Sequence, residues 1–489
     1  MKSSHYGMPH AIESILESGY WEKLKPAAKV SAPAQVIAWL VKNLRPSFAS
    51  QSSARNHNAS RTAYLDGLRG FAAFMVYWGH HQMWANESYG SIFENAFGYD
   101  RQYYFAALPG IRMFFSGGHF AVTVFFVLSG YVLSAKPLSL IHNFEYDKLG
   151  DNLSSALFRR WFRLYIPVIS TTFLYMTMWH ALGIHSSKTV PQPTYLREVF
   201  HWYKEFKAFS FVFRSGGEPW FYYNFHVWSL PAEFRGSMVV YTSLLALSRC
   251  TKNARLCCWL GLIFYFLYIV DGAHCAMFVA GMLLCDLDLL AVENNLPVFL
   301  VKLGKYKDSI FPTLFIISMY LGGAPSHSAD LQVLQKSPGW GYLSLLKPNA
   351  VFDPKWFYLF WAATFLVCCT SRIKWLKAFF ETSFNQYLGR ISFGFYLVHG
   401  PVLWTLGDRL YAATGYIKES HAKNLTQWVN AFPISKAGPL GLELSFLLPH
   451  LILLPVTFWL AEIVTKLIDE PSLRVSHWAY RRLIEAPRK

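Results

Sequence analysis

Along this chain, long apolar stretches alternate with short segments that hold most of the Lys, Arg, Asp and Glu. Ten stretches read as helices able to cross a bilayer, at 65–84, 119–135, 164–182, 228–247, 257–270, 273–290, 310–323, 356–371, 391–406 and 442–468. Several are shorter than the ~20 residues a lone span needs. The Asp271-Gly272 break is either a loop between two spans or a kink within one. A polar tail, 1–61, precedes the first stretch, and within it 34–44 has amphipathic helical spacing that suits a solvated tail or a membrane surface. A basic tail, 476–489, follows the last. The expected fold is an all-α integral membrane bundle of about ten transmembrane helices over 62–475, without internal repeats or a second soluble domain.

Composition narrows this further. Of 489 residues, 53% are apolar and 15% charged, against roughly 25% charged in an average soluble domain. These figures exclude intrinsic disorder and leave too few charges to cover a soluble globule. The net charge of +16 does not indicate nucleic acid. A nucleic-acid binder gathers its basic residues on a polar domain, whereas here they punctuate apolar stretches. The lipid bilayer is the partner they suggest. With the N-terminus in the cytosol, roughly twice as many Lys and Arg fall in cytosolic as in opposite segments, and an even span count returns the C-terminus to the cytosol. The endoplasmic reticulum or another endomembrane is the expected location. Of the glycosylation sequons at Asn58, Asn86, Asn152 and Asn424, only Asn86 and Asn424 then face the lumen, and Asn86 lies close to the membrane. The seven cysteines sit in or beside apolar stretches with no CxxC pair, so neither a disulfide framework nor a metal site is expected.

Ionisable residues inside spans are expensive and point by default to function. The first span is the richest, with Asp66, Arg69, His80 and His81. Arg69 and His80 are eleven residues apart, three turns plus roughly 20°, so they share a helix face. They stand roughly 16 Å apart along the axis, close to the reach of an extended pantetheine arm. His81 is turned ~100° off that face. Asp66 precedes Arg69 by one turn and suits a local pair. The opposing reading has Arg69 snorkelling to the interface and His80 merely satisfied within the bundle.

Five segments make the chain resemble the acyltransferase 3 family of integral membrane acyltransferases. The first is Arg69, ten residues, then His80; the second is Phe125 to Tyr131 (FFVLSGY). The third is Arg159 to Pro167 (RRWFRLYIP), the fourth Trp228 to Phe234 (WSLPAEF), and the fifth Gly389 to Pro401 (GRISFGFYLVHGP). Each alone is weak, but five in the family's order carry weight. The resemblance covers roughly 62–475 and looks most like the fungal members, some of which acylate secondary metabolites. The long loops at 183–227 and 324–355 are individual to this chain, so acceptor choice does not carry over.

The resemblance implies acyl transfer, expected to be acetyl, from a coenzyme A thioester to a hydroxyl of a small molecule or glycan. Acetyl-CoA is then a co-substrate, with no permanently bound cofactor and no metal. A neutral imidazole has a pKa suited to taking the hydroxyl proton, which singles out His80 as base. Arg69, Arg160 and Arg163 would hold the coenzyme A phosphates, since guanidinium forks match phosphate oxygens. Glu233 would orient His80 or meet the acceptor, or else merely stabilise its helix terminus. His399 and Ser392, almost two turns apart on one face, are candidate substrate contacts, with a satisfied core histidine as the alternative for His399. Two rivals stand beside this reading: a transporter or flippase with Arg, His and Glu along its path, and a catalytically dead scaffold of the same family.

Overall fold

A computed structural model describes residues 44–46, 62–87, 90–213 and 219–484. Most of the amphipathic stretch 34–44, the sequon at Asn58 and the last five basic-tail residues lie outside them. Helix is the only regular structure among the described residues, with no strand beyond an isolated bridge between Ser186 and Thr189. The principal helices are α1 (Ala63–Ala85), α2 (Gly118–His142), α3 (Tyr146–Leu182), α4 (Tyr195–Ser210), α5 (Ser229–Ala246) and α6 (Lys252–Phe264). They continue with α7 (Ala273–Val292), α8 (Lys307–Leu321), α9 (Pro354–Thr370), α10 (Ser383–Val402), α11 (His450–Val464) and α12 (Glu470–Leu483).

Each of the ten apolar stretches is helical over most of its length. By length and composition, however, three helical segments suffice to cross a membrane: Gly118–His142, Ala273–Val292 and Leu444–Leu483. The pair Pro354–Thr370 and Lys374–Phe380, bent by 95°, makes a fourth if taken as one span. The other stretches fall short for a physical reason. α1 carries Asp66, Arg69 and two histidines, the 164–182 part of α3 mixes Pro, Ser, Thr, Tyr and His among its apolar residues, and α8 is only 15 residues long. All-α is thus the observed class, while the number of spans remains an expectation.

Close helix approach rests on glycine. An ideal Cβ on Gly130 of α2 would lie 2.0 Å from the Phe278 carbonyl oxygen of α7, and one on Gly281 would lie 2.0 Å from that of Val127. The small residue at Gly130 lets two backbones meet, as its place in a span suggests. Gly70 and Gly389 bring α1 and α10 together in the same way, at 2.2 Å. The break at Asp271-Gly272 proves to be a tight turn between α6 and α7, closed by the Gly272 N–H donating to the Phe266 carbonyl at 3.0 Å.

Two regions have more structure than expected. The 183–227 stretch is not simply a loop, because α4 runs back along α3. Thr194 caps it, Trp202 Nε1 donates to Thr172 Oγ1 at 3.1 Å, and Phe209 packs against Tyr165. The basic tail after 475 continues as helix to Leu483, joined to α11 by a π-helical turn, Thr465–Asp469.

Candidate functional site

Three imidazoles from three parts of the chain meet in the interior. His80 comes from α1, His226 from a short 3₁₀ turn, Phe225–Trp228, and His399 from the last turn of α10. The His80 and His226 rings stack with centroids 3.7 Å apart and planes 5° apart, and His226 and His399 stack at 4.6 Å and 7°. His80 Nδ1 and His399 Nε2 share a hydrogen bond of 3.0 Å, and His399 Nδ1 lies 2.7 Å from the Tyr396 carbonyl oxygen.

The local sequence explains why His226 is there. Pro401 has no N–H, so the Leu397 carbonyl loses its helical partner. Asn224 Nδ2 donates to that oxygen at 3.0 Å, tying the turn to α10. Tyr396 adds a second tie, bonding through its hydroxyl to the His226 carbonyl and to Ser229 Oγ. Gly400 leaves room for the ring, since a Cβ there would stand 2.7 Å from His226 Nδ1. That Nδ1 is buried without a hydrogen-bond partner.

Ligand-type atoms of His80, His226 and His399 lie within 4.8 Å of one another, a spacing that a metal ion could use. The ring geometry fits an imidazole relay better. His226 stacks face to face on the other two rings, which turns its lone pairs away from them, and the His80–His399 bond would have to break for both nitrogens to bind one ion.

The arginines lie on a second level. Arg69 Nη2 donates to the Gly389 carbonyl at 2.9 Å and pairs with Asp66 at 3.0 Å, the local pair that a one-turn spacing suggests. Arg160 is buried against Glu233, which accepts from its Nη2, while its Nε donates to Ser237 Oγ at 2.9 Å. Arg163, one turn on, makes no hydrogen bond or ion pair with any described residue, although Arg160, Arg69 and Asp469 lie in electrostatic range. Glu233 therefore sits with the arginine level and not beside His80. Ser392 Oγ donates back to the Gly389 carbonyl at 2.9 Å, within its own helix. His81 faces away from the cluster and bonds Tyr411 at 2.7 Å.

Of the residues singled out in the sequence, His80 and His399 are brought together, and Arg160 joins Glu233. His226 was missed. Its signal lay in Asn224 and Pro401, whose complementary hydrogen-bonding needs become visible only once the chain is folded.

Residues 62–461 match the profile of a family described as an acyltransferase domain. The chain is 30% identical to the O-acetyltransferase PaAT-1 of Phomopsis amygdali, covering 90% of this chain and 88% of that protein. It is 21% identical to acyltransferase R4 of a Phoma strain (72% and 85% covered) and 20% identical to acyltransferase clz18 of Cochliobolus lunatus (72% and 84%). No solved structure matches the chain.

Proposed function

We propose, on the premise that this chain belongs to the acyltransferase-domain family and is an acyltransferase, that it moves an acetyl group from acetyl-CoA to an acceptor hydroxyl with His80 as the base. The observation that carries this reading is the hydrogen-bonded order of His80, His399 and Tyr396. A carbonyl oxygen only accepts, so His399 Nδ1 holds the proton facing Tyr396. In the neutral ring, His399 Nε2 then accepts from His80 Nδ1–H. His80 Nε2 is left with its lone pair, in the state a general base requires.

The chemistry follows from that tautomer. The acceptor oxygen attacks the thioester carbonyl as its proton passes to His80 Nε2, and the carbon–sulfur bond breaks. The proton then goes to the departing thiolate, giving ester and free coenzyme A. His399 is a positioning residue that fixes the His80 ring, and stacked His226 holds it from the other side. Arg163, Arg69 and Arg160 bind the phosphates, and Glu233 orients Arg160. The catalyst works in an endomembrane with both termini cytosolic, on the side where acetyl-CoA is kept.

The test is thiol release from acetyl-CoA by protein purified in detergent, supplied with a mixture of hydroxylated acceptors. His80→Ala should lower the rate by at least ~10²-fold, the scale of general-base catalysis. His81→Ala should retain most activity. Equal rates for His80→Ala and the parent, at matched folded protein, would remove His80 from the chemistry.

A further inference from the structure

Beside His80 lies a second group of rings that the chemistry above leaves unused. Gly79 of α1 touches the start of α2, where a Cβ on Gly79 would be 3.5 Å from the Gly118 nitrogen. His80 and His119 therefore flank a helix contact, and His119 lies within electrostatic range of His80. Trp356, at the end of the 324–355 stretch, meets the His119 ring edge-on at 5.4 Å and the His274 ring at 4.6 Å. Trp228, two residues past His226, closes the group at 5.9 Å from Trp356 and 6.2 Å from His274. The group thus adjoins His80 from both sides, through the α1–α2 contact and through the turn that carries His226.

Its polar chemistry is unusual for a core. His274 Nε2 is buried without a hydrogen-bond partner, and the half-buried His119 ring meets Trp356 edge-on and makes no hydrogen bond with any described residue. Burying such groups unpaired is unfavourable, and native interiors seldom leave them so unless something else satisfies them. Two cations lie within electrostatic range of His274: Lys355, 5.2 Å over the Trp356 ring, pairs with Asp353 at 2.5 Å, and Arg235 donates to the Val212 carbonyl at 3.1 Å.

We infer that His119, His274, Trp228 and Trp356 form the acceptor subsite, and that the acceptor is a mostly apolar ring alcohol and not a polyhydroxylated glycan. This rests on the acyl-transfer reading. Indole and imidazole faces suit an unsaturated or fused-ring body. Two unpartnered imidazoles suit one or two oxygens beyond the reacting hydroxyl. A sugar would bring several hydroxyls that this wall could not satisfy.

The test uses purified protein, acetyl-CoA and two acceptors, 2-naphthylmethanol and methyl β-glucoside, with ester formation followed by mass spectrometry. 2-Naphthylmethanol should be acetylated with kcat/KM at least tenfold above methyl β-glucoside. Trp356→Leu should raise KM for naphthylmethanol about tenfold and leave KM for acetyl-CoA unchanged. Because that change alters packing, His119→Asn, which breaks no hydrogen bond to a described residue, should also raise the acceptor KM in a protein of parental unfolding temperature. Equal or better acetylation of the glucoside overturns the inference, as does an acceptor KM unmoved in both variants. So does acetylation of neither alcohol while His80-dependent thiol release continues. Thiol release that does not depend on His80 overturns the acyl-transfer assignment beneath it.

Discussion

Arg160 and Arg163 stand one helical turn apart on α3 but make different contacts. Arg160 is locked to Glu233 and Ser237, whereas Arg163 has no ion-pair partner among the described residues. Arg163→Ala should therefore weaken acetyl-CoA binding cleanly. Losing a charged hydrogen bond is worth roughly 1.5–3 kcal/mol, about tenfold or more in affinity. Arg163→Lys should recover only part, because a point charge replaces a planar fork. Arg160→Ala instead strands a buried carboxylate and should destabilise the fold by roughly 3–5 kcal/mol. Titration of acetyl-CoA and acceptor against each folded variant checks this, and a change confined to the acceptor would contradict it. At this scale the sequence was legible where a residue was costly in its setting. Arg69 and His80 inside an apolar helix could be read directly. His226 could not, because a histidine in a polar-aromatic turn carries no comparable cost until its neighbours are known.

The turn carrying His226 depends on what α10 lacks. Pro401 leaves the Leu397 carbonyl open, and Asn224 fills it. Asn224→Ala should destabilise the protein by roughly 1–3 kcal/mol, the cost of an orphaned buried carbonyl. Adding Pro401→Ala restores a backbone N–H to α10 and should recover part of that stability, but not the activity, since the tie to the turn stays lost. Unfolding temperature and thiol release for the two single variants and the double variant check this. Full recovery of activity in the double variant would show that the turn is held by other means. Gly400→Ala should depress activity through the same ring, because its Cβ would fall 2.7 Å from His226 Nδ1. Helix positions were largely legible, since an apolar run of suitable length folds as helix in a bundle. α4 was not, because its polar, aromatic sequence gains its helix from packing along α3. α1, read as a span from the sequence, falls short of the apolar length a span needs because Asp66, Arg69 and its two histidines dilute its apolar signal.

On the whole-molecule scale, distant loops are clasped together at the end of the bundle nearest Trp84. Asp408 Oδ1 accepts from Trp84 Nε1 at 2.8 Å and His421 Nε2 at 3.1 Å, while Oδ2 meets Ser187. Lys418 covers the same Trp84 ring at 3.4 Å and pairs with Glu87 at 2.8 Å. Burial raises the Asp408 carboxyl, but the bonds from His421 and Ser187 outweigh it and hold the group below the usual carboxylate range. A depressed carboxyl stabilises the fold above its unfolded pKa, ~3.9. That contribution is lost as the pH falls through the folded value. Asp408→Asn should lower the unfolding temperature at neutral pH, with the gap to the parent narrowing below about pH 4. A gap independent of pH would mean that the carboxylate's charge is not what closes the clasp. The clasp lies beyond α10, at the end of α1 opposite Arg69, and the proposed function has acetyl-CoA arriving from the arginine side. The most direct test reconstitutes the protein in sealed vesicles whose orientation is known from protease access to a terminal tag. Acetyl-CoA is supplied only outside, together with the mixture of hydroxylated acceptors, and its initial rate of thiol release is measured before and after detergent is added. Release should occur for molecules with termini facing outward, persist or rise in detergent, and vanish in His80→Ala. A rate unchanged by His80→Ala, or activity present only while the vesicle is sealed, would contradict acyl transfer at this site.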